Sequence, residues 1–93
     1  MVNVYANGKS LPMEVDTGAA VSIISEETWK NIFPNSTLRS SDLSLTTYSN
    51  ENLSVIGEMP VEVLYGCQKA QLILVVVSGK GPTLLGRNWL QHL

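Results

Sequence analysis

The amino-acid sequence predicts an all-β protein, a small closed or nearly closed β-barrel with one or two short helices. Two observations carry this prediction. Most of the chain alternates apolar and polar residues over short runs, which is the period of a β-strand. Glycine, asparagine and proline separate these runs, and these residue types favour turns. The 93 residues are enough for a single domain, 1–93, with one modest core.

The first two predicted strands form a hairpin. The run from Val2 to Ala6 alternates apolar and polar residues, and Asn7-Gly8 then supplies a strong signal for a two-residue hairpin turn. The alternation resumes from Leu11 to Val15. Because successive side chains of a strand point to opposite faces, Glu14 and Asp16 lie on the face opposite this apolar set.

A third strand and a helix follow. The run from Val21 to Ile24 is mostly apolar and predicts a strand. Ser25 is a predicted helix N-cap, because its side-chain oxygen can accept a hydrogen bond from the first turn. Two glutamates follow it, and the helix is expected to end before Pro34. The polar stretch 35–42 predicts a loop.

The second half of the chain predicts two more hairpins. Alternating runs at 43–48 and 53–56 flank a polar tip at 49–52. Runs at 60–65 and 70–77 pair around Gly66. The last of these is rich in β-branched residues and continuous enough to be buried on both faces.

The chain ends with a brief predicted strand and a helix. The strand is Thr83-Leu84-Leu85, and it follows a glycine-rich loop at 78–82. The segment from Gly86 to Leu90 is a plausible terminal helix.

Composition excludes several classes of function. The formal net charge of −2 leaves no basic face for nucleic acid. The longest apolar run, Leu72 to Val77, is far below the ~20 residues that span a bilayer, so no membrane partner is expected. A single cysteine, Cys67, and a single histidine, His92, exclude an internal disulfide and a self-contained zinc site. A serine or cysteine nucleophile would lack an internal histidine base. The acidic residues remain as the candidates for catalysis, and no metal or cofactor is expected.

The candidate catalytic motif is Asp16-Thr17-Gly18. Alone, this tripeptide is an ordinary turn. Here an apolar strand runs directly into the turn that contains Asp16 and Gly18, and a second apolar strand follows this turn immediately. A carboxylate in such a setting is costly unless it is hydrogen-bonded or shares a proton.

Two further motifs follow in a fixed order. The polar-tipped hairpin around 48–52 comes first, and Leu84-Leu85-Gly86-Arg87-Asn88 follows near the other end. With Asp16-Thr17-Gly18-Ala19, these motifs make the chain from Val2 to about Leu90 resemble the retroviral-type aspartic proteases, or retropepsins. The resemblance is greatest to those of gypsy-type LTR retrotransposons and genes derived from them.

The resemblance implies the closed β-barrel of that family and a homodimer in which each subunit supplies one Asp16. One carboxylate would act as general base on a water while the protonated partner donates to the scissile carbonyl. A shared proton between two carboxylates is the established behaviour of aspartic proteases rather than a result of this sequence. Activity is expected to favour acidic to neutral pH, without a covalent intermediate.

The resemblance also implies roles for single residues. Thr17 would hydrogen-bond across the dimer, and Gly18 would let the backbone approach the substrate. Arg87 and Asn88 would give structural support. The residues expected to contact substrate are two after the catalytic motif, three at the flap tip and one pocket residue: Ala19, Ala20, Tyr48, Ser49, Asn50 and Leu84.

Two positions depart from the family's pattern. Glu14 occupies a place that is usually apolar and forms part of a pocket wall. It is either a solvated carboxylate at the cleft rim or a substrate-binding residue that admits a polar or basic side chain or shifts the pH profile. Arg87 lacks its usual acidic partner, because Ala19-Ala20-Val21 stands there. Backbone carbonyls and another acid, such as Glu14, remain open as its partners.

The function predicted from the sequence is therefore an aspartic endopeptidase that cuts an extended peptide, most simply in its own Gag-Pol-like polyprotein. The expected location is the cytoplasm or a virus-like particle. The alternative is a catalytically weak, protease-like dimerisation or protein-binding module. The retroviral relatives carry an interleaving strand at each end that is not evident here, which predicts a weak or concentration-dependent dimer.

Overall fold

The computed structural model describes residues 2–39, 45–46, 52–79 and 81–92. Within these residues the strands and helices, in chain order, are β1 (Val2–Ala6), β2 (Lys9–Val15), β3 (Ile23–Ser25), α1 (Glu26–Ile32), β4 (Leu45–Thr46), β5 (Asn52–Leu53), β6 (Val55–Tyr65), β7 (Gln68–Val77), β8 (Leu84–Leu85) and α2 (Arg87–Leu90).

Six of these strands form a closed barrel in the order β1-β2-β8-β3-β7-β6, and β6 pairs with β1 to complete it. The β1–β2 and β6–β7 pairs are antiparallel hairpins. The β2–β8 and β3–β7 pairs are parallel, so the end of the chain inserts between the second and third strands. Closure leaves the barrel without long free edges. The predicted all-β barrel with two short helices is confirmed.

The first hairpin turns at the dipeptide that predicts it. Asn7 has a φ of 51° and Gly8 a φ of 80°, and a two-residue turn of this kind requires positive φ at both positions. The Oδ1 atom of Asn7 also accepts a hydrogen bond from the N–H of Glu62 at 2.8 Å. The turn is thereby tied to β6, the strand that pairs with β1.

The third strand starts later than predicted, and the helix after it has the predicted cap. β3 begins at Ile23, so Val21 and Ser22 lie in the loop before it. The Oγ atom of Ser25 accepts a hydrogen bond from the N–H of Thr28 at 3.2 Å. α1 ends before Pro34, because proline cannot continue the helical hydrogen bonds. No helix in the described parts of the chain is long and apolar enough to cross a membrane.

The sixth strand corrects a sequence-based boundary. The prediction of separate strands at 53–56 and 60–65 is wrong, since β6 runs unbroken over Val55–Tyr65 with one irregularity between Val55 and Gly57. Pro60 fits inside it because the neighbouring alternate residues, Glu58 and Glu62, direct their backbone groups away from β7, towards Arg39 and Asn7. The missing N–H of Pro60 therefore costs no β6–β7 hydrogen bond.

The core lies inside the barrel, and α2 closes one side of it. Trp89 of α2 is fully buried, and its Nε1–H donates to the carbonyl of Ile73 at 2.8 Å. A second apolar cluster lies on the other face of the sheet and contains Ile23, Val75 and Val77, with Leu84 packed against it. The carboxyl end of β7 is buried on both faces, as its apolar run predicts.

The central hairpin is described only at its base. Strands β4 and β5 pair antiparallel, with Leu45 opposite Leu53 and Thr46 opposite Asn52. This pairing agrees with the predicted hairpin. The tip and the flap residues predicted from the sequence, Tyr48, Ser49 and Asn50, lie outside the described residues.

Candidate active site

The carboxylate of Asp16 lies in a tight turn at the end of β2. The N–H of Asp16 donates to the carbonyl of Leu85 at 3.1 Å, which extends the β2–β8 pairing by one residue. Its Oδ1 atom accepts a hydrogen bond from the N–H of Gly18 at 3.0 Å, and its carbonyl accepts one from Ala19 at 3.1 Å. Asp16 is half-buried. The side chain is thus oriented by its own turn and remains accessible from one side.

The start of α2 holds the loop that follows the motif. The N–H of Arg87 donates to the carbonyl of Ala19 at 2.9 Å, and the N–H of Asn88 donates to the carbonyl of Ala20 at 3.1 Å. These are backbone groups of the first helical turn, which have no partner inside the helix. The carbonyls of the loop therefore accept the hydrogen bonds of these N–H groups, and the loop and the start of α2 hold each other in place.

A buried serine connects the same two segments. Ser22 is fully buried, and its Oγ atom accepts a hydrogen bond from the N–H of Gly86 at 2.9 Å. The Oδ1 atom of Asn88 accepts hydrogen bonds from the N–H of Ser22 at 2.9 Å and from its hydroxyl at 3.2 Å. The amide nitrogen of Asn88 donates to the carbonyl of Ile73 at 3.4 Å. Asn88 thus joins the loop after the motif to β7.

The sequence reasoning missed Ser22, although a signal was present. It is the one polar residue in the apolar run from Val21 to Ile24. A hydroxyl buried among apolar neighbours requires hydrogen-bond partners, which marks such a serine as part of a structural network.

Gly86 lies where the two segments come closest. A Cβ atom at this position would stand 2.3 Å from the carbonyl oxygen of Val21 and 3.0 Å from that of Ala19. Real Cβ atoms do not approach backbone that closely, so only glycine fits here. The glycine between β8 and α2 is therefore a packing requirement of the Asp16 loop.

The remaining residues of the motif face solvent in a single chain. Thr17 and Gly18 are exposed, and the Thr17 hydroxyl has no hydrogen-bond partner among the described residues. Of the backbone N–H and carbonyl groups of Ala19 and Ala20, only the N–H of Ala20 lacks a partner within the described part of the chain. Ala19 and Ala20 are predicted to offer backbone groups to a peptide, and this N–H is the one left to offer.

A row of paired residues crosses the sheet beside Asp16. Across β2, β8, β3, β7 and β6, the residues opposite one another are Glu14, Leu84, Ile23, Val75 and Glu58. Side chains of directly opposed residues project to the same face of a sheet. The row is apolar in its middle and carries a carboxylate at each end. We call these five residues the cleft row.

The acids at the two ends of the cleft row differ in their surroundings. Glu58 is paired with Arg39, whose Nη2 and Nε atoms lie 3.0 and 3.2 Å from the Oε2 atom of Glu58. Glu14 is exposed, and no cation among the described residues forms an ion pair with it.

Arg87 is likewise exposed and forms no ion pair or side-chain hydrogen bond with another described residue. Within the described part of the chain, the Arg87 side chain therefore bonds neither a backbone carbonyl nor Glu14, the two kinds of partner expected from the sequence.

The described part of one chain brings a single oriented carboxylate, that of Asp16, to this turn. In one chemical step a single carboxyl group can accept a proton or donate one, but not both. Glu14, two residues before Asp16, forms no hydrogen bond with it within the described part of the chain. In this chain Glu14 is therefore not seen to share a proton with Asp16.

Comparisons with known proteins agree with this fold. A family model described as "gag-polyprotein putative aspartyl protease" matches residues 2–92. EIAV protease, solved with the inhibitor HBY-793, superposes with a TM-score of 0.79 at 21% sequence identity, over 97% of this chain and 83% of that chain. The retroviral protease-like domain of Ddi1 from Leishmania major gives 0.72 at 15% identity, over 97% and 73%. No curated protein matches the sequence.

Proposed function

The chain belongs to the gag-polyprotein aspartyl protease family, of the retropepsin type, and we propose that it is an endopeptidase that acts as a homodimer. The observation that carries the proposal is the oriented, half-buried carboxylate of Asp16 in a turn fixed by β8 and α2. Since the described part of one chain presents one such carboxylate, a second copy related by two-fold symmetry would supply the other. Thr17 and Gly18 are exposed, so both are accessible to such a second copy.

The proposed reaction uses both Asp16 side chains and one water molecule. The ionised carboxylate takes a proton from the water, whose oxygen forms a bond to the scissile carbonyl carbon. The protonated partner gives its proton to the carbonyl oxygen, which produces a tetrahedral diol. A proton then passes from a diol hydroxyl, by way of the carboxylates, to the amide nitrogen. The carbon–nitrogen bond breaks, releasing a carboxylic acid and an amine.

The proposed substrate is an extended peptide segment, most simply in the polyprotein that contains this chain. An extended peptide can bind as an added strand through backbone hydrogen bonds, while its alternate side chains enter pockets. The N–H of Ala20 is available for a backbone hydrogen bond. Of the cleft row, Leu84 and Glu14 are accessible to a substrate side chain. Such processing would take place in the cytoplasm or in a virus-like particle.

The test is cleavage of a peptide library by the purified chain and by the Asp16→Asn variant. We expect the wild type to cleave and a pepstatin-type inhibitor to block it. The neutral amide of the variant cannot accept the proton of water, so the variant should lose activity by at least about a hundredfold, within the range of a general base's contribution. If the wild type cleaves no peptide at any chain concentration, the protein-binding module replaces this proposal.

A further inference from the structure

We infer that Glu14 selects a lysine or arginine side chain in the substrate position next to the scissile bond. The inference rests on the proposed function and specifies its substrate class. Glu14 lies near the end of β2, and Asp16 follows the strand directly, with its N–H still bonded to β8. Strand alternation extended by this one residue puts both side chains on one side. A substrate whose scissile carbonyl reaches Asp16 therefore brings a neighbouring side chain to Glu14.

Leu84 of the cleft row supplies the apolar surface for the stem of that side chain, since Ile23 and Val75 are buried. Leu84, directly opposite Glu14, is half-buried and packs against the apolar cluster of Ile23 and Val75. Lysine and arginine lay their methylene stems along apolar surface and keep the charged end in a polar environment. An accessible leucine beside an exposed carboxylate is complementary to both parts.

The position of Glu14 is fixed by the backbone. Its N–H donates to the carbonyl of Thr83 at 2.8 Å, so the carboxylate starts from a defined point on the β2–β8 seam. Leu11 and Met13 fill the core from the other face of β2, which prevents Glu14 from turning inwards. Glu14 therefore lies on the face of β2 opposite Leu11 and Met13 and is exposed.

The two acids of the cleft row show why Glu14 is suited to bind a cation from outside. Glu58 already has the guanidinium of Arg39 within hydrogen-bond distance, and its side chain is only 17% exposed. Glu14 is exposed and has no cationic partner in the described part of the chain. Of these two carboxylates, only Glu14 is available to a substrate cation.

The experiment compares kcat/KM for matched peptides that carry lysine, arginine, glutamine or leucine at one position beside the scissile bond. We expect the wild type to prefer the basic peptides about two- to fivefold over glutamine, the size of one exposed charge pair. Glu14→Gln should lose this preference while still cleaving the neutral peptides. Glu14→Asp should retain part of it, and salt at about 1 M should weaken it.

The matched control is Glu62→Gln. Glu62 is also an exposed strand glutamate, but it lies on β6 and pairs with Lys69 at 3.4 Å. We expect Glu62→Gln to leave the basic preference unchanged. Thermal unfolding of each variant shows whether it is folded, so that a lost preference is not mistaken for lost structure.

The outcomes separate this inference from the proposed function. A wild type that cleaves with Asp16 dependence but shows no basic preference, or a preference that Glu14→Gln keeps, overturns the role of Glu14 alone. Failure of the wild type to cleave any peptide overturns the proposed function itself. As a further check, Glu14→Lys should shift the preference towards peptides with glutamate at the same position, and an unchanged preference in that variant counts against the inference.

Discussion

At the residue scale, the position of Asp16 depends on side chains that lie behind it. Ser22 bonds Gly86 and Asn88 at the crossing of two segments, and these segments carry the carbonyls and N–H groups that hold the loop. Polar groups in such a network are stabilising only while each one has its partners. Substitutions at these residues are therefore expected to displace the Asp16 carboxylate, although the residues themselves do not contact substrate.

Ser22→Ala should destabilise the fold and lower activity together. The N–H of Gly86 would lose its acceptor in a buried environment, which costs about 1–3 kcal/mol of unfolding free energy. Urea unfolding at fixed protein concentration measures this, and Ser10→Ala, at an exposed position of β2, is the matched control. Equal stability of the two variants would show that the Ser22 network is not a support of the site.

Gly86→Ala should be the more severe change. The added Cβ would stand 2.3 Å from the carbonyl oxygen of Val21, so the loop after Asp16 must move or the chain must remain unfolded. We expect a loss of about 1–3 kcal/mol or more, together with loss of peptide cleavage. Gly81→Ala is the control, because a Cβ there meets nothing within 4 Å. A stable, active Gly86→Ala variant would contradict the described crossing.

At the element scale, each strand and helix is fixed by a local signal and then adjusted by its neighbours. α1 illustrates the local part, since its start coincides with a serine whose oxygen caps the first turn. β8 illustrates the other part, since two residues alone would not form a stable strand. It exists because β2 and β3 bond it from both sides.

The cap of α1 is testable by Ser25→Ala. The Oγ atom of Ser25 accepts from the N–H of Thr28 and donates to its hydroxyl at 3.0 Å, so its removal should cost about 1 kcal/mol. The measurement is again the free energy of unfolding in urea. Ser25→Thr keeps the hydroxyl and should recover most of the loss. If both variants unfold alike, the capping bond does not contribute to stability.

The sequence predicts the barrel and the Asp16 turn, because strand alternation and hairpin dipeptides are local signals. It does not predict that β6 continues through Pro60, since that depends on which edge of the strand the missing N–H faces. It also places Val21 and Ser22 in a strand, whereas the crossing with Gly86 draws them into a loop. Contacts between distant segments decide these points, and no local pattern records them.

At the scale of the whole molecule, the central claim is that two copies of Asp16 form one active site. The chain carries one Asp-Thr-Gly motif, and Glu14, the neighbouring carboxylate on β2, forms no hydrogen bond with Asp16 among the described residues. The chain is thus half of the proposed enzyme. Activity should then depend on the composition of each dimer, and not only on the amount of wild-type chain present.

The most direct measurement mixes a fixed amount of wild-type chain with rising amounts of Asp16→Asn chain, at a concentration where specific activity has reached its plateau. If subunits exchange and each site needs two Asp16 side chains, an equal amount of variant should reduce activity to about half, and a ninefold excess to about a tenth. Exchange is verified by mass spectrometry of the mixed dimer. Cleavage that stays at the wild-type rate while mixed dimers form would contradict a shared site.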